Sequence, residues 1–324
     1  MRTGSRKIPY AAWSSDMKVF NTLPEHCPAE YTAVTIGKFD GLHRAHRKLI
    51  EKTVAAAKER GCASLVLSFD IAPQMILSAE EREDELRKMG VDILIAVPLC
   101  AAIISMSPEE FLGAVILEKF HARYIAVGED FRFGYRRSGG PSEIRLFCET
   151  HGMEEEILPV IAEDGDKISS SRIRSALSGG DIAETNRLLG YPYYITGEIV
   201  HGRMLGRTIG MPTANSVPPR DKYLPRYGVY LTRTSIGPET LYGISDIGEK
   251  PTVGGQFPGI ETNLFGWNGD LYGKKEKTEL LRFLRPEKKF PSIDALKEQL
   301  AKDRKAAEIC LAGLRKETEG KAAE

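Results

Sequence analysis

The segment at residues 32–61 combines a short apolar run, a turn that contains two glycines, and a helical pattern. The run at residues 33–36 has the length of a strand. After the turn, apolar side chains recur at the spacing of one helix face from Leu42 to Ala57. A strand, a turn and a helix in this order predict the start of a βαβ unit. A chain built on such a unit is expected to form an open parallel sheet.

Strands and helices continue to alternate through the first half of the chain. A continuous apolar run at residues 63–69 has strand length, as expected for a buried parallel strand, and the segments 91–99 and 123–128 are predicted to be the next two strands. A charged helix is predicted between the first two of these segments, and Ser107-Pro108 followed by two acidic residues predicts a helix start. The alternation predicts an α/β, Rossmann-like fold with a doubly wound sheet, whose ligands bind at the carboxyl ends of the strands. The glycine-bearing turn and the loops after the second and fourth strands fall at such ends.

Two histidines lie in the first turn of the predicted helix, and their spacing places them on one face. His43 and His46 are three residues apart. A helix N-terminus presents free N–H groups and a partial positive charge, and two imidazoles beside it can donate hydrogen bonds to a nucleoside triphosphate. The alternative is a surface pair or half of a metal site. Zinc would need further ligands, and neither a CxxC pair nor a third clustered histidine occurs nearby.

A serine-rich segment at residues 167–174 precedes another helical pattern. Serines at this place predict a helix N-cap. The segment also ends in Arg174, whose planar guanidinium suits triphosphate oxygens. The composition of residues 128–134, which precede this segment, predicts a turn rich in glycine and aromatic residues.

The pattern changes near Gly190, beyond which short strands are separated by glycine and proline. This spacing predicts an antiparallel β-barrel, and a serine-capped helix is expected from about Ser292 to about Leu314. We therefore predict two domains, at residues 16–186 and 190–314.

The candidate ligand-binding residues of the second half lie in a glycine-rich segment at residues 202–215. Its glycines would let the backbone approach a ligand, although the segment lacks the Gly-Lys-Ser/Thr of a Walker A loop. Thr213 and Asn215 can both present oxygens to Mg²⁺, a hard cation that prefers such ligands. The alternative is a Pro-Thr turn with the asparagine in a left-handed conformation.

Composition limits the classes of function. The 324 residues suffice for two domains, and 42% hydrophobic with 28% charged residues is typical of a soluble globular protein. The formal net charge of zero gives no electrostatic support for binding nucleic acid. The five cysteines are scattered, as expected for reduced thiols, and no apolar run reaches the about 18 residues of a membrane helix. Without a signal-peptide pattern either, we expect a cytoplasmic protein with no membrane or nucleic-acid partner.

The motifs of the first half resemble a known family. The string G-x-F-D-G-x-H-x-x-H at residues 37–46 resembles the signature of HIGH-type nucleotidyltransferases. The longer string resembles the adenylyltransferase half of bifunctional riboflavin kinase/FAD synthetases. The loop at residues 128–134 is similar to the family's G-x-D-F-x-F-G, and residues 169–174 are similar to S-S-T-x-I-R, with Ser171 in place of threonine.

The second half resembles the other part of the same family. Residues 202–215 are similar to the riboflavin kinase motif G-x-x-x-G-R-x-x-G-x-P-T-A-N, and Glu261-Thr262 fits the position of the catalytic carboxylate. A carboxylate close to Mg²⁺-ATP can take the proton of an attacking hydroxyl. The resemblance runs in motif order from about Thr32 to Asp303.

The resemblance implies two sets of site residues. In the first domain, His43 and His46 are implied to be catalytic, and ATP phosphates would be bound with the help of Gly37, Phe39, Asp40, Gly41, Ser170, Ser171 and Arg174. In the second domain, Glu261 would be catalytic, with ATP and flavin bound by Gly202, Gly206, Arg207, Gly210, Pro212, Thr213 and Asn215. Mg²⁺ would be held by Thr213 and Asn215.

Several positions depart from the family pattern, mainly toward the flavin side of the first domain. Lys38 replaces asparagine, Ala45 replaces glycine, and the loop at residues 69–73 reads FDIAP where FDPHP is usual. Leu99-Cys100 stands where the family has Phe-Asp, and Lys250 replaces an arginine.

The resemblance implies a bifunctional transferase whose substrates are riboflavin, FMN and ATP. The carboxy-terminal barrel would phosphorylate riboflavin to FMN. The amino-terminal domain would transfer AMP from ATP to FMN, giving FAD and pyrophosphate. Two alternatives stay open: a riboflavin kinase whose first domain is inactive or has a different acceptor, and a flavin-binding protein without catalysis. The assembly state is also left open.

Overall fold

Two compact units divide the chain, Met1–Ile168 and Ser169–Glu324. The computed structural model describes residues 16–70, 72–201, 213–252, 255–267, 269 and 271–322. Our predicted boundary, with domains at residues 16–186 and 190–314, places the segment 169–186 in the first domain, whereas its contacts group it with the second unit. The reason is packing, because two helices in and beside this segment pack on each other and the later one packs on a barrel strand.

The first unit is built on a parallel six-stranded sheet, as predicted. The spatial order is β1-β4-β3-β2-β5-β6, and each neighbouring pair is parallel. Because β3 and β4 lie on one side of β2 while β5 lies on the other, the strand order reverses beside β2, and ligands of such sheets bind at this switch point. The strands are β1 (Lys18–Phe20), β2 (Thr32–Gly37), β3 (Ala63–Asp70), β4 (Ile93–Pro98), β5 (Ala122–Gly128) and β6 (Glu154–Leu158).

Helices cover this sheet, and serine side chains fix where two of them begin. Ser78 and Ser107 each form a capping box with the glutamate three residues later, and Pro108 follows the second cap. The predicted helix from Ser107 is present, but its second part is a π-helix, Phe111–Lys119, which the sequence pattern did not indicate. The α-helices are α1 (Arg44–Arg60), α2 (Ala79–Lys88), α3 (Ala101–Ile104), α4 (Pro108–Glu110) and α5 (Pro141–His151).

The core of the first unit lies on both faces of the sheet. Along β2, Val34 and Ile36 belong to the larger apolar cluster, whereas Ala33 packs with Ala57 of α1 on the opposite face. Alternate side chains of a strand point to opposite faces, so a strand buried on both sides has apolar residues at successive positions. Burying one large aliphatic side chain contributes roughly 1.5–3 kcal/mol, which makes β2 the rigid element from which the histidine turn departs.

The second unit contains a closed antiparallel barrel, which confirms the predicted fold of this half. The strand order around the ring is β10-β13-β12-β11-β14-β9, and closure removes free sheet edges. The strands are β9 (Tyr194–Val200), β10 (Ala214–Val217), β11 (Gly228–Ile236), β12 (Glu239–Thr252), β13 (Gly255–Leu264) and β14 (Lys275–Pro286).

In the part of the second unit that the structure describes, three helices accompany the barrel: α6 (Ser170–Gly179), α7 (Ile182–Leu189) and α8 (Ile293–Ala322). The predicted serine cap of α8 is present, since Ser292 Oγ accepts a hydrogen bond from the Ala295 amide at 3.2 Å. Inside the barrel, hydroxyls replace part of the usual apolar filling. Ser245 Oγ is hydrogen-bonded to Thr232 Oγ1 and to Thr262 Oγ1, both at 2.8 Å, and all three side chains are fully buried.

Candidate active sites

The histidine pair lies directly after β2, where the helix α1 begins. His43 is the N-cap of α1 and His46 lies in its first turn. The His43 Nδ1 atom accepts a hydrogen bond from the His46 amide at 3.5 Å, and the two imidazole rings stack with centroids 3.6 Å apart. The structure therefore brings the two histidines together at the carboxyl end of the central strand.

Both imidazoles are neutral at pH 7. Burial, followed by the nearby Lys167 ammonium, lowers the pKa of His43 to about 4. Burial, then the His43 imidazole and Lys167, lowers the pKa of His46 well below 6.5. Because His43 Nδ1 accepts a hydrogen bond, its proton resides on Nε2, which makes this atom a donor. Each neutral ring thus carries one N–H donor.

The turn between β2 and α1 is held in an unusual conformation. Phe39 and Leu42 have φ values of 41° and 40°, in the left-handed region that non-glycine residues rarely adopt. Asp40 is buried and its Oδ1 atom accepts a hydrogen bond from the Ile76 amide at 2.7 Å. A Cβ on Gly41 would lie 2.9 Å from the Ile76 side chain, at a φ of 82°. Asp40 and Gly41 therefore shape the turn.

Sequence reasoning gave no separate role to Lys167, although it lies in the serine-rich segment. Its ammonium lowers the pKa of both His43 and His46, and it pairs with Asp130 in the loop after β5. This places a cation and the predicted loop 128–134 beside the histidine pair. A long-range contact of this kind leaves no periodic signal in the sequence.

Two of the segments that depart from the family pattern, residues 69–73 and Leu99-Cys100, lie at the ends of β3 and β4. Leu99 is 40% exposed, and Cys100 is exposed at the N-cap of α3, where its side chain makes no capping hydrogen bond. The Asp70 side chain and Ile71 lie outside the described residues. An exposed leucine and an exposed thiol therefore stand where the family pattern has an aromatic residue and an acid.

The serine-rich segment forms the start of α6, in the second unit. Ser169 is the N-cap, with its Oγ atom accepting from the Arg172 amide at 3.3 Å, so the predicted capping role falls on this serine. Ser170 and Ser171 are the first two helical residues. The Arg174 guanidinium lies 4.5 Å from the ring centre of Tyr223. A role of Ser170, Ser171 and Arg174 at ATP phosphates stays a prediction.

The predicted residues of the barrel meet across two strands. Asn215 on β10 is the direct partner of Glu261 on β13, and Glu261 is also the partner of Asp246 on β12. Directly opposite residues of antiparallel strands point to the same face. The adjacent Ser216 and Thr262 are buried inside the barrel, so Asn215, Glu261 and Asp246 point outward.

The structure thus adds Asp246 to the residues found from the sequence. Two carboxylates and an amide in one row, with Thr213 just before β10, form a set of oxygen donors that suits a hard divalent cation. No group of three or more His, Cys, Asp and Glu side chains suited to a metal occurs among the described residues. Gly202, Gly206, Arg207, Gly210 and Pro212, together with the Lys250 side chain, lie outside the described part of the chain.

Two family models match the chain, one for each half. The model described as FAD synthetase matches residues 26–172, and the model described as riboflavin kinase matches residues 189–311. A bifunctional riboflavin kinase/FMN adenylyltransferase from Escherichia coli strain K12 is 34% identical over 287 residues, covering 85% of this chain and 91% of the relative. Its counterpart from Bacillus subtilis strain 168 is 33% identical over 316 residues, covering 91% and 98%.

A solved structure shares the fold of nearly the whole chain. It is described as a macrolide-efflux protein from Streptococcus pneumoniae, has 29% sequence identity and superposes with a TM-score of 0.80. The match covers 90% of this chain and 98% of that chain. Within the described residues, no helix combines the length and the apolar character needed to cross a membrane.

Proposed function

This chain belongs to the bifunctional riboflavin kinase/FMN adenylyltransferase family, and from that membership we propose how its residues divide the two reactions. The family resemblance of the motifs is confirmed. The protein is a transferase that converts riboflavin to FMN and FMN to FAD, with ATP as co-substrate and a divalent metal. The barrel carries the kinase and the parallel-sheet unit carries the adenylyltransferase.

In the kinase reaction, Glu261 is the general base. The terminal ribityl hydroxyl oxygen of riboflavin attacks the γ-phosphorus of ATP, the bond to the β-γ bridging oxygen breaks, and ADP leaves. Glu261 takes the hydroxyl proton, a role that suits a carboxylate held beside Mg²⁺-ATP. The observation that carries this assignment is the direct pairing of Glu261 with Asn215 across β13 and β10.

The metal of the kinase site is Mg²⁺, held by Thr213 and Asn215. Both side chains offer neutral oxygens, which leave room in the coordination sphere for phosphate oxygens of ATP. When bound, Mg²⁺ neutralises charge on the β- and γ-phosphates. Asp246 lies on the other side of Glu261 and adds negative charge to the same row, which favours a cation there.

In the adenylyltransferase reaction, neutral His43 and His46 donate hydrogen bonds to the ATP phosphates. A phosphate oxygen of FMN attacks the α-phosphorus, and the bond to the bridging oxygen of the leaving pyrophosphate breaks. Preorganised donors stabilise the charge that develops on the phosphates, and no covalent enzyme intermediate is needed. Ser170, Ser171 and Arg174 add a hydroxyl pair and a guanidinium to this task.

Separation of flavins after incubation with ATP and Mg²⁺ tests the assignment. The wild-type protein should convert riboflavin to FAD, and Glu261→Gln should form no FMN yet still adenylylate supplied FMN. Equal loss of both activities in Glu261→Gln would contradict the division between units. FMN without FAD from the wild type would instead leave the barrel as a kinase and the first unit with a different acceptor.

A further inference from the structure

A buried arginine lies behind the turn that carries the histidine pair. Arg82, on α2, is 3% exposed, and its Nη1 atom donates a hydrogen bond to Ser68 Oγ at 3.1 Å. Ser68 is fully buried near the end of β3 and donates its own hydroxyl hydrogen to the Lys38 carbonyl at 3.1 Å. The two bonds form a relay from the helix α2 to the backbone of the turn.

The chemistry of the groups fixes the direction of this relay. A guanidinium has donors and no acceptor, so Ser68 must accept from Arg82. A serine hydroxyl has a single hydrogen, which is then directed at the Lys38 carbonyl oxygen. Since arginine stays protonated at any physiological pH, this polarity does not reverse. Burial of a guanidinium is costly unless it is hydrogen-bonded, and the bond to Ser68 offsets part of that cost.

The Lys38 carbonyl belongs to the peptide bond that precedes Phe39, the residue with the left-handed φ of 41°. Such a conformation persists only where the surrounding structure holds it. The Phe39 side chain is fully buried, and its ring centre lies 5.2 Å from that of His46. Fixing the peptide before Phe39 therefore fixes the ring on which the His46 imidazole rests.

A second contact ties α2 to α1. Arg47, the residue after His46, pairs with Glu85 of α2 at 2.5 Å between Nη2 and Oε2. The helix α2 thus contacts the histidine segment twice, once through the backbone of the turn and once through α1.

We propose that Arg82 is a positioning residue for FMN adenylylation. It acts through Ser68 on the Lys38–Phe39 peptide, and through Phe39 on the imidazole of His46. The inference rests on the proposed role of the histidine pair.

Four variants test the relay: Arg82→Met, Arg82→Lys, Ser68→Ala and the double variant Arg82→Met/Ser68→Ala. Each is assayed for FAD formed from supplied FMN, with ATP varied to separate KM from kcat. Riboflavin phosphorylation on the same chain reports whether the variant is folded. Loss of one hydrogen bond of the relay is expected to lower kcat/KM for ATP in adenylylation about tenfold. Arg82→Lys keeps a charged donor and should recover part of the loss.

The double variant distinguishes a relay from two separate structural effects. If Arg82 acts through Ser68, the double variant should be no slower than Ser68→Ala, because without the Ser68 hydroxyl Arg82 has no connection to the Lys38 carbonyl that could still be lost. Arg87→Met is the matched control, because Arg87 lies on the same helix with its side chain 40% exposed; it should leave both activities unchanged.

Three outcomes would overturn the inference: unchanged adenylylation in Ser68→Ala, additive losses in the double variant, or an equal fall of both activities in Ser68→Ala. If Arg82→Met does not fold, Ser68→Ala with Arg82→Lys decides the question. A wild-type protein that forms no FAD from FMN would overturn the proposed function instead, so the two failures are distinguishable.

Discussion

Asn215 and Glu261 lie directly opposite each other on the antiparallel strands β10 and β13. They are 46 positions apart in the sequence (261 − 215), and the barrel brings them together with Asp246 in one row. The pairing unites an amide that can bind a cation with a carboxylate that can accept a proton. An amide and a carboxylate side by side suit the phosphoryl transfer proposed for the barrel.

Replacing Glu261 by glutamine is expected to remove the general base of the kinase while keeping the shape of the strand. General base catalysis contributes typically 10²–10⁴-fold, so kcat for FMN formation should fall by about that factor. Glu239→Gln, at the exposed start of β12, is the control and should keep full activity. A Glu261→Gln enzyme with normal kcat would show that another group accepts the proton.

Replacing His46 by alanine is expected to lower FAD formation and to leave riboflavin phosphorylation unchanged. The variant loses one donor to the phosphates, and loss of such a donor costs about 10²–10³-fold in kcat. His46→Gln keeps an N–H donor and should retain more activity than His46→Ala. Unchanged FAD formation in His46→Ala would place the phosphates away from the histidine pair.

The low pKa of His43 predicts that the first unit loses stability in acid. The folded pKa of about 4 lies below the unfolded value of 6.5, so the unfolded state binds the proton more readily. The contribution of neutral His43 to the free energy of unfolding is fully present above pH 6.5. It is lost as the pH falls from 6.5 toward 4, and the loss is on the order of 3 kcal/mol. Hydrogen exchange of the β2 amides between pH 7.5 and 4.5 measures this loss. In His43→Asn the pH dependence should be reduced, and an equal slope in both proteins would contradict the assignment.

Glu276 predicts the opposite pH dependence in the barrel. It is 2% exposed, its Oε1 atom accepts from Ser216 Oγ at 2.5 Å, and burial raises its pKa above 4.5. Its register partner on β9 is Gly197, where a Cβ would lie 3.1 Å from the Ser216 side chain, so glycine leaves room for the contact.

A raised carboxyl pKa means that stability is fully present below the unfolded pKa and is lost as pH rises through the folded pKa. Glu276→Gln keeps an acceptor for Ser216 and removes the buried charge. Its barrel should therefore be more stable than the wild type at pH 8, with the advantage shrinking toward pH 4. Urea-induced unfolding of both proteins at the two pH values measures the difference. A glutamine variant that is less stable at pH 8 would show that the ionised form is the one that the barrel favours.

Local pattern was sufficient for the parts of the fold that depend on local physics. The apolar runs predicted β2 to β5, and the serine caps at Ser107, Ser169 and Ser292 are present, because a cap depends on residues within one helical turn. The change to short strands with glycine and proline predicted the barrel. Order of the motifs along the chain was sufficient to assign both activities.

Features that depend on register and burial could not be predicted from the same patterns. Asp246 lies beside Glu261 only because β12 pairs with β13. In the sequence, Arg82 is one of several charged residues of a charged helix, and nothing there distinguishes it as buried. The stacking of His43 on His46 depends on rotamers that spacing alone does not define. Sequence patterns therefore supplied the candidate site residues, whereas the structure supplied the contacts around them.

Closure of the barrel restricts which parts of the second unit can change without shifting the register of its strands. In an open sheet a strand can slip by one position at its edge, but in a six-membered ring a slip must be accommodated by every other strand. The alignment of Asn215 with Glu261 is therefore invariant to small adjustments anywhere on the circumference. We therefore expect changes of substrate preference in the connecting loops rather than in the register of β10 and β13.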